Sequence, residues 1–342
     1  MRTQAIFHTA PHIVTARDTE VPSFLRPGEL RIEAHCSAIS PGTESLIFQG
    51  RMPEGRGRED APPGVGGEFR YPFKYGYALV GEVVEAGSRE DRDWLGQRVF
   101  ALHPHQGRAV IDKRDCRRLP PGMAAERALF LTNMEAALGL ALDAAPLAGE
   151  RAMVFGQGVV GLLTTAVLSQ FPLAELITAD PVAPRRERSQ QLGAALAVDP
   201  SKGRELAVLE DCLFFDDNNG LDFVIEVSGQ IEALNQAISL TGYDGRIVVG
   251  SWYGRNAGLI DLGGHFHKRR IRLIASQVGT LNPRLSGRWT KERRLKQAWE
   301  WLDRIAPERL ITHRFPLSGC QEAFELVADK QSGALQVIFE YR

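Results

Sequence analysis

The chain has no apolar run near the roughly 20 residues that a membrane-spanning helix needs. Its opening, MRTQAIFHTAPHIV, lacks the apolar core of a signal peptide. The expectation is a cytoplasmic protein with no membrane partner. Cysteine is sparse: Cys36, Cys116, Cys212 and Cys320 stand far apart, and no pair has CxxC spacing. That excludes a zinc ribbon and a thioredoxin-type motif, and in a reducing compartment the four read as free thiols. An excess of positive charge is also missing, since the formal net charge is -1. A general nucleic-acid binder needs such an excess to displace counterions. The two basic runs, His267 to Arg272 and Lys291 to Lys296, read as a strand flank and a solvated helix face. Internal repeats and low-complexity tracts are absent.

What remains is a soluble-type composition, 44% apolar and 24% charged, spread over 342 residues, enough for two domains. The texture changes along the chain. Residues 1–122 are β-rich: ELRIEAHCSAIS alternates, and ALVGEVVEAG and GQRVFAL follow between glycine turns. Gly50 to Phe69, rich in Gly, Pro and charge, reads as a long loop, of the kind that is often functional. From Ala124 to Ala145 the pattern turns helical. Residues 123–280 then alternate apolar strands (AMVF, ELITAD, LAVDP, LDFVIEVSG, GRIVVGSW, RLIASQVG) with helices. That alternation predicts α/β class with a doubly wound parallel sheet. Residues 281–342 return to a helix, TKERRLKQAWEWLDRI, and a closing strand, ALQVIFEY. The simplest arrangement inserts the α/β unit between two parts of a β-rich domain.

GQGVVG, Gly156 to Gly161, matches the dinucleotide pattern G-x-G-x-x-G. It follows the strand AMVF and opens an apolar helix, which is the context the pattern requires. Gly156 permits the tight turn, Gly158 lets a pyrophosphate approach the backbone, and Gly161 lets helix and strand pack closely. The phosphates then meet the N–H groups at the helix start. Asp180 ends the second strand about two dozen residues further on, where a carboxylate can bind the ribose hydroxyls and repel a 2′-phosphate. NAD is therefore the expected cofactor. Arg185 and Arg186 follow closely and leave NADP open, because arginine can accept that phosphate.

PGELRIEAHCSAISPGTE, YGYALVGEVVEAG, GQRVFAL, GQGVVG, DFVIEVSG, GRIVVGSW and the C-terminal ITHRFPL…AFELVADKQSGALQVIFE run in order over nearly the whole chain. Together they resemble the medium-chain dehydrogenase/reductase superfamily of zinc alcohol dehydrogenases and their zinc-free relatives. AISPGTE and GSWYG look most like the branch with bacteriochlorophyllide hydroxyethyl dehydrogenase and threonine-dehydrogenase-like proteins. The resemblance implies a Rossmann domain inserted in a GroES-like β-rich catalytic domain, and a homodimer formed through the Rossmann sheets. It implies Val159, Val160, Val227, Ser228, Gly250, Ser251, Trp252 and Ser276 as further cofactor-binding residues. Tyr253 and Gln277 lie beside them.

The same resemblance exposes a break. The family's catalytic zinc ligands fall here on Ser40, on Tyr77, and on Leu131 or Thr132. Zinc takes Cys, His or carboxylate. The four clustered cysteines of the family's structural zinc lobe are missing too. No metal is expected. His35 and Cys36 point to opposite faces of an alternating strand and make no site. Hydride transfer without zinc needs another group to handle the hydroxyl proton. The candidates are Tyr77 and Ser40 at the former ligand positions, Thr43 where relatives relay the proton, and His103 at the end of GQRVFAL. Glu135 is expected near the nicotinamide ring. The expected function is a zinc-independent NAD(P)-dependent oxidoreductase acting on a small carbonyl or alcohol substrate. An NADPH-dependent reductase of activated C=C bonds or quinones, and a non-enzymatic NAD(H) sensor, are the alternatives.

Overall fold

A computed structural model describes residues 1–52, 70–215 and 219–341. Most of the expected loop Gly50 to Phe69 therefore lies outside the described residues. The chain forms two compact units, one of residues 1–132 and 302–342, the other of residues 133–301.

The first unit opens with an antiparallel pair, β1 (Arg2–Ala10) and β2 (Ile13–Glu20). Then come β3 (Glu29–Ile39), α1 (Thr43–Phe48), β4 (Leu79–Ala86), β5 (Arg98–Ala101), β6 (Arg108–Asp112), β7 (Cys116–Arg118) and the short α2 (Ala125–Ala128). The helical pattern from Ala124 to Ala145 thus resolves into two helices, α2 and α3 (Leu131–Ala144).

The second unit continues through β8 (Arg151–Phe155), α4 (Val159–Leu168), β9 (Glu175–Ala179), α5 (Ala183–Gln191), β10 (Leu196–Val198) and α6 (Gly203–Leu213). It closes with β11 (Leu221–Glu226), α7 (Ile231–Leu240), β12 (Thr241–Val249), β13 (Arg272–Ala275) and α8 (Lys291–Ile305). The chain then returns to the first unit with β14 (Ile311–Pro316), α9 (Cys320–Ala328) and β15 (Gln336–Glu340).

The second unit's sheet is parallel, in the order β10-β9-β8-β11-β12-β13. Its strands read as continuous apolar runs because helices cover both faces of such sheets. Phe155, Ile177, Phe223, Val224 and Ile247 are all fully or almost fully buried, each contributing roughly 1.5–3 kcal/mol. The expected doubly wound sheet is present, and so is a separate β-rich sheet. The latter runs β14-β15-β3-β4-β5-β7, with β6 also pairing β3.

The unit boundaries fall later than the change of texture at 122/123 and 280/281 suggests. Side chains explain both shifts. Arg127 of α2 pairs with Glu308, and Glu126 with Arg314, which ties α2 to the first unit. Asn282 donates to Asp143, and Arg294 of α8 pairs with Glu135 of α3, which ties the segment after 280 to the second.

Candidate functional site

The register of the parallel sheet assembles the cofactor residues. Phe155 pairs with Ala179 on one side and Glu226 on the other; Glu226 pairs with Val249, and Val249 with Ala275. The next residue on each strand is Gly156, Asp180, Val227, Gly250 and Ser276. Five expected cofactor residues thus stand in one row at the carboxyl ends of the strands. The strand order reverses between β8 and β11, and such a switch point is where ligands bind in open α/β sheets.

Glycine is needed at three of these places. Gly156 has φ +90, and a Cβ there would lie 2.7 Å from Ser228 Cα. A Cβ on Gly161 would sit 1.8 Å from the Gly156 carbonyl oxygen. Gly250 would strike Leu140 Cδ2 at 2.6 Å. Gly158 is different, because its Cβ would meet nothing within 4 Å. It is the N-cap of α4 and carries no side-chain cap. Leu162 N–H bonds back to Gly158 O, so the N–H groups of Val159, Val160 and Gly161 form the uncapped first turn. Open space above bare helical N–H groups fits a pyrophosphate.

Asp180 is buried, and its carboxylate accepts from Gln157 N at 2.7 Å and Val182 N at 2.9 Å. It therefore links the glycine turn to the start of α5. Arg186 donates to the Asp180 carbonyl at 2.7 Å and lies 3.4 Å from the Asp199 carboxylate. Arg185 is half-buried on the same helix turn.

The sequence reading passed over Glu226. It is fully buried, and Oε1 accepts from Ser228 N at 2.7 Å and Ser228 Oγ at 2.5 Å. Oε2 accepts from Tyr253 Oη at 2.6 Å, and Ser251 Oγ accepts from Gly229 N at 2.8 Å. One carboxylate thus ties the loop after β11 to the loop after β12. Its signal was a lone charge ending the apolar run DFVIE. Trp252, between Ser251 and Tyr253, is exposed. Glu135 forms an ion pair with the buried Arg294 at 3.3 Å. Arg294 also donates to Val278 O at 2.6 Å and Thr280 O at 3.2 Å.

In the first unit, antiparallel pairing sets Ser37 opposite Leu79, and Ala38 N–H bonds Ala78 O. This register carries Ser40, just past β3, to Tyr77, just before β4. Tyr77 Oη donates to Ser40 Oγ at 2.5 Å. Burial pushes the phenol up to about 12, while hydrogen bonding with the Ser40 and Thr43 hydroxyls opposes the rise. Three of the expected catalytic residues therefore share one hydroxyl cluster. Thr43 begins α1, whose second residue is the fully buried Glu44.

His103 stands outside that cluster's hydrogen bonds. Its Nδ1 contacts Pro104 O at 2.9 Å, and burial lowers its pKa to about 4. His105 is fully buried with both ring nitrogens occupied, one by Ser37 Oγ and the other by Glu44. At the third ligand position Leu131 is buried, and Thr132 Oγ1 is buried with no hydrogen-bond partner. The donor set at the three positions is a serine, a tyrosine and leucine or threonine, which does not fit zinc. His35 is exposed and Cys36 buried, as alternation requires. Among the described residues no group of three His, Cys, Asp or Glu could hold a metal, and no helix is long and apolar enough to cross a membrane.

Comparison with known proteins agrees with this geometry. Residues 159–303, from α4 into α8, match the family described as zinc-binding dehydrogenase. D-guloside 3-dehydrogenase of Escherichia coli (strain K12) is 26% identical over 313 residues, covering 86% of each chain. A zinc-binding dehydrogenase of Sinorhizobium meliloti 1021, solved with NADP, superimposes with a TM-score of 0.77 at 18% identity, covering 99% of both chains. An alcohol dehydrogenase (rspB) of E. coli CFT073, solved with NADH, gives 0.78 at 18% identity, again over 99% of both. Residues 159–303 thus resemble the zinc-binding dehydrogenase family, and the whole chain shares the fold of these two dehydrogenases solved with NADP and NADH.

Proposed function

We propose that the chain is a zinc-independent, NAD(P)-dependent dehydrogenase of hydroxyl-rich secondary alcohols, polyols or glycosides. The observation that carries this reading is the Tyr77–Ser40 hydrogen bond of 2.5 Å at two of the three family zinc positions. Bound at the α4 N-terminus, the cofactor supplies a nicotinamide ring that accepts or returns a hydride. In the oxidising direction the substrate carbon gives up that hydride and its hydroxyl gives up a proton. Ser40 Oγ accepts the substrate's hydroxyl proton while its own proton passes on through the Tyr77 and Thr43 hydroxyls, and the relay ends on solvent water. In the reducing direction Ser40 donates to the carbonyl oxygen and is resupplied by Tyr77. A phenol held near 12 stays protonated at neutral pH and is ready to donate. His103, neutral at that pH, is an acceptor of substrate hydroxyl groups.

NAD is the preferred cofactor in this reading. Asp180 offers a carboxylate to the ribose, and Arg186 is already engaged by Asp180 O and Asp199. A homodimer through the Rossmann sheet is supported by β13, an edge strand that exposes Leu273. Four free cysteines agree with a cytoplasmic setting. Reduction of activated C=C bonds or quinones, and NAD(H) sensing without turnover, are not favoured by relatives that are named dehydrogenases.

The test is metal analysis of purified enzyme alongside NAD⁺ reduction on a panel of sugar alcohols, alkyl glycosides and diols. The expected result is substoichiometric zinc and turnover that survives EDTA. Stoichiometric zinc whose removal abolishes turnover would overturn the reading.

A further inference from the structure

Two titratable residues in the first unit lie fully buried, where polar groups need partners. Glu44 and His105 are both fully buried, and Glu44 Oε2 meets His105 Nε2 at 2.8 Å. A buried pair of this kind contributes little net stability against an apolar replacement, so its retention calls for another explanation. Its contacts supply one. The second Glu44 oxygen, Oε1, accepts from the backbone N–H of Ser40 at 2.8 Å. The imidazole lies close against Gly76, the residue before Tyr77. A Cβ on Gly76 would lie 3.0 Å from both Cδ2 and Nε2 of His105. The backbone of His105 also donates to Tyr75 O at 3.4 Å. One buried hydrogen-bonded pair therefore touches the chain on both sides of the hydroxyl pair, at Ser40 itself and next to Tyr77.

Partners hold the pair in turn. Ser37 Oγ lies 2.7 Å from His105 Nδ1 and 2.7 Å from Tyr341 Oη. The rings of Phe339 and Phe324 meet the imidazole edge-on at 5.1 and 6.2 Å. An ionised carboxylate only accepts, so Nε2 carries a proton. In the neutral imidazole Ser37 then donates to Nδ1 and Tyr341 donates to Ser37. Every polar atom of the chain from Tyr341 to Ser40 N–H is satisfied, which is the condition under which a buried network fixes a single geometry.

We infer that Glu44 and His105 are positioning residues that hold Ser40 and Tyr77 in hydrogen-bonding register for proton transfer. Neither touches the reacting atoms. This deepens the reading of Tyr77–Ser40 as the group that replaces the metal, and rests on it. The geometry makes an unusual demand on substitution. Glutamine at 44 can keep both contacts, with its oxygen accepting from Ser40 N–H and its amide donating to His105 Nε2. The imidazole then changes tautomer and donates to Ser37, which donates to Tyr341. Alanine at 44 loses both contacts.

The experiment compares Glu44→Gln, Glu44→Ala, Ser37→Ala and Tyr77→Phe in the full-length enzyme. Turnover is read with NAD⁺ and the best alcohol of the panel above. In parallel, the ζ-carbon resonance of ¹³C-labelled Tyr77, assigned by its loss in Tyr77→Phe, is read without substrate. The expected result is Glu44→Gln within about threefold of wild-type kcat with the Tyr77 resonance unmoved. Glu44→Ala loses at least about tenfold in kcat with little change in KM for NAD⁺, and its resonance moves. Should Glu44→Ala fail to fold, Ser37→Ala takes its place, expected to move the resonance and lower kcat less steeply. Glu44→Gln as impaired as Tyr77→Phe would overturn the inference, because the carboxylate would then act through its charge. An unmoved resonance in both Glu44→Ala and Ser37→Ala would overturn it too. Wild-type turnover in Tyr77→Phe would instead sink the functional reading, and the resonance would still decide the placement.

Discussion

Tyr77 Oη donates to Ser40 Oγ across 2.5 Å, so two side chains 37 residues apart act as one group. General acid–base groups contribute on the order of 10²–10⁴-fold to rate. Tyr77→Phe keeps the ring and removes the donor, and Ser40→Ala removes its acceptor. Each is expected to lower kcat by about 10- to 100-fold with near-native melting temperature, and the double variant to lose little more than the worse single. Steady-state kinetics on the three proteins checks the coupling.

Gly158 and Gly161 lie three residues apart and face opposite demands. Gly158→Ala points a methyl into open space, so thermal stability should hold while NAD⁺ binding weakens at least about tenfold. Gly161→Ala drives a methyl onto the Gly156 carbonyl and should destabilise the fold. Calorimetric binding and a melting curve on both variants separate the two effects.

Asp180 holds the glycine turn through Gln157 N–H, and in the proposed reading its carboxylate also meets the ribose. Asp180→Ala should lower the NAD/NADP ratio of kcat/KM by about tenfold or more, since the carboxylate that repels a 2′-phosphate is gone. It should also cost about 1–2 kcal/mol for the lost backbone contacts. Parallel kinetics with both cofactors and a denaturant titration read the two consequences.

His8 is fully buried, stacked on Phe73 at 5.3 Å and edge-on to Phe324 at 5.1 Å, with neither ring nitrogen hydrogen-bonded. Burial, with a smaller contribution from His105, lowers its pKa to about 3. The unfolded chain takes up a proton near the ordinary value of 6.5, whereas the folded chain resists until about 3. Stability therefore falls as pH drops through that window, by up to a few kcal/mol. His8→Phe fits between two aromatic rings and removes the titration. It should leave stability at pH 7 unchanged or higher and shift the acid-unfolding midpoint to lower pH, read by circular dichroism.

The glycine turn after β8 was legible because its information is local. GQGVVG, the strand before it and the helix after it lie within about twenty residues, and Gly156 and Gly161 answer to contacts with the loop after β11 and with their own turn. Asp180 followed from the length of one βαβ step. Glu226 was not legible in the same way. Its partners Tyr253 and Ser228 come from two different loops, and their meeting depends on β11 and β12 lying side by side. The helix α1 was not legible either, because it is only six residues long and has no side-chain cap to announce it. Glu135 carried no sign of Arg294, which lies on a helix beginning 156 residues later (291 against 135).

The two textures, the parallel sheet and the dinucleotide turn could be read from the sequence alone, as could a serine and a tyrosine where the resemblance expects zinc ligands. Periodicity, glycine placement and residue chemistry are properties of short segments, and short segments can be read one at a time. Only the tertiary structure decided that Tyr77 and Ser40 bond to each other, that Glu44 and His105 form the pair beside them, and that His103 lies outside this network. Those relations depend on the register of β3 against β4 and on the return of the C-terminal strand carrying Tyr341. A hydrogen bond forms or fails over a few tenths of an ångström, and strand pairing sets that distance.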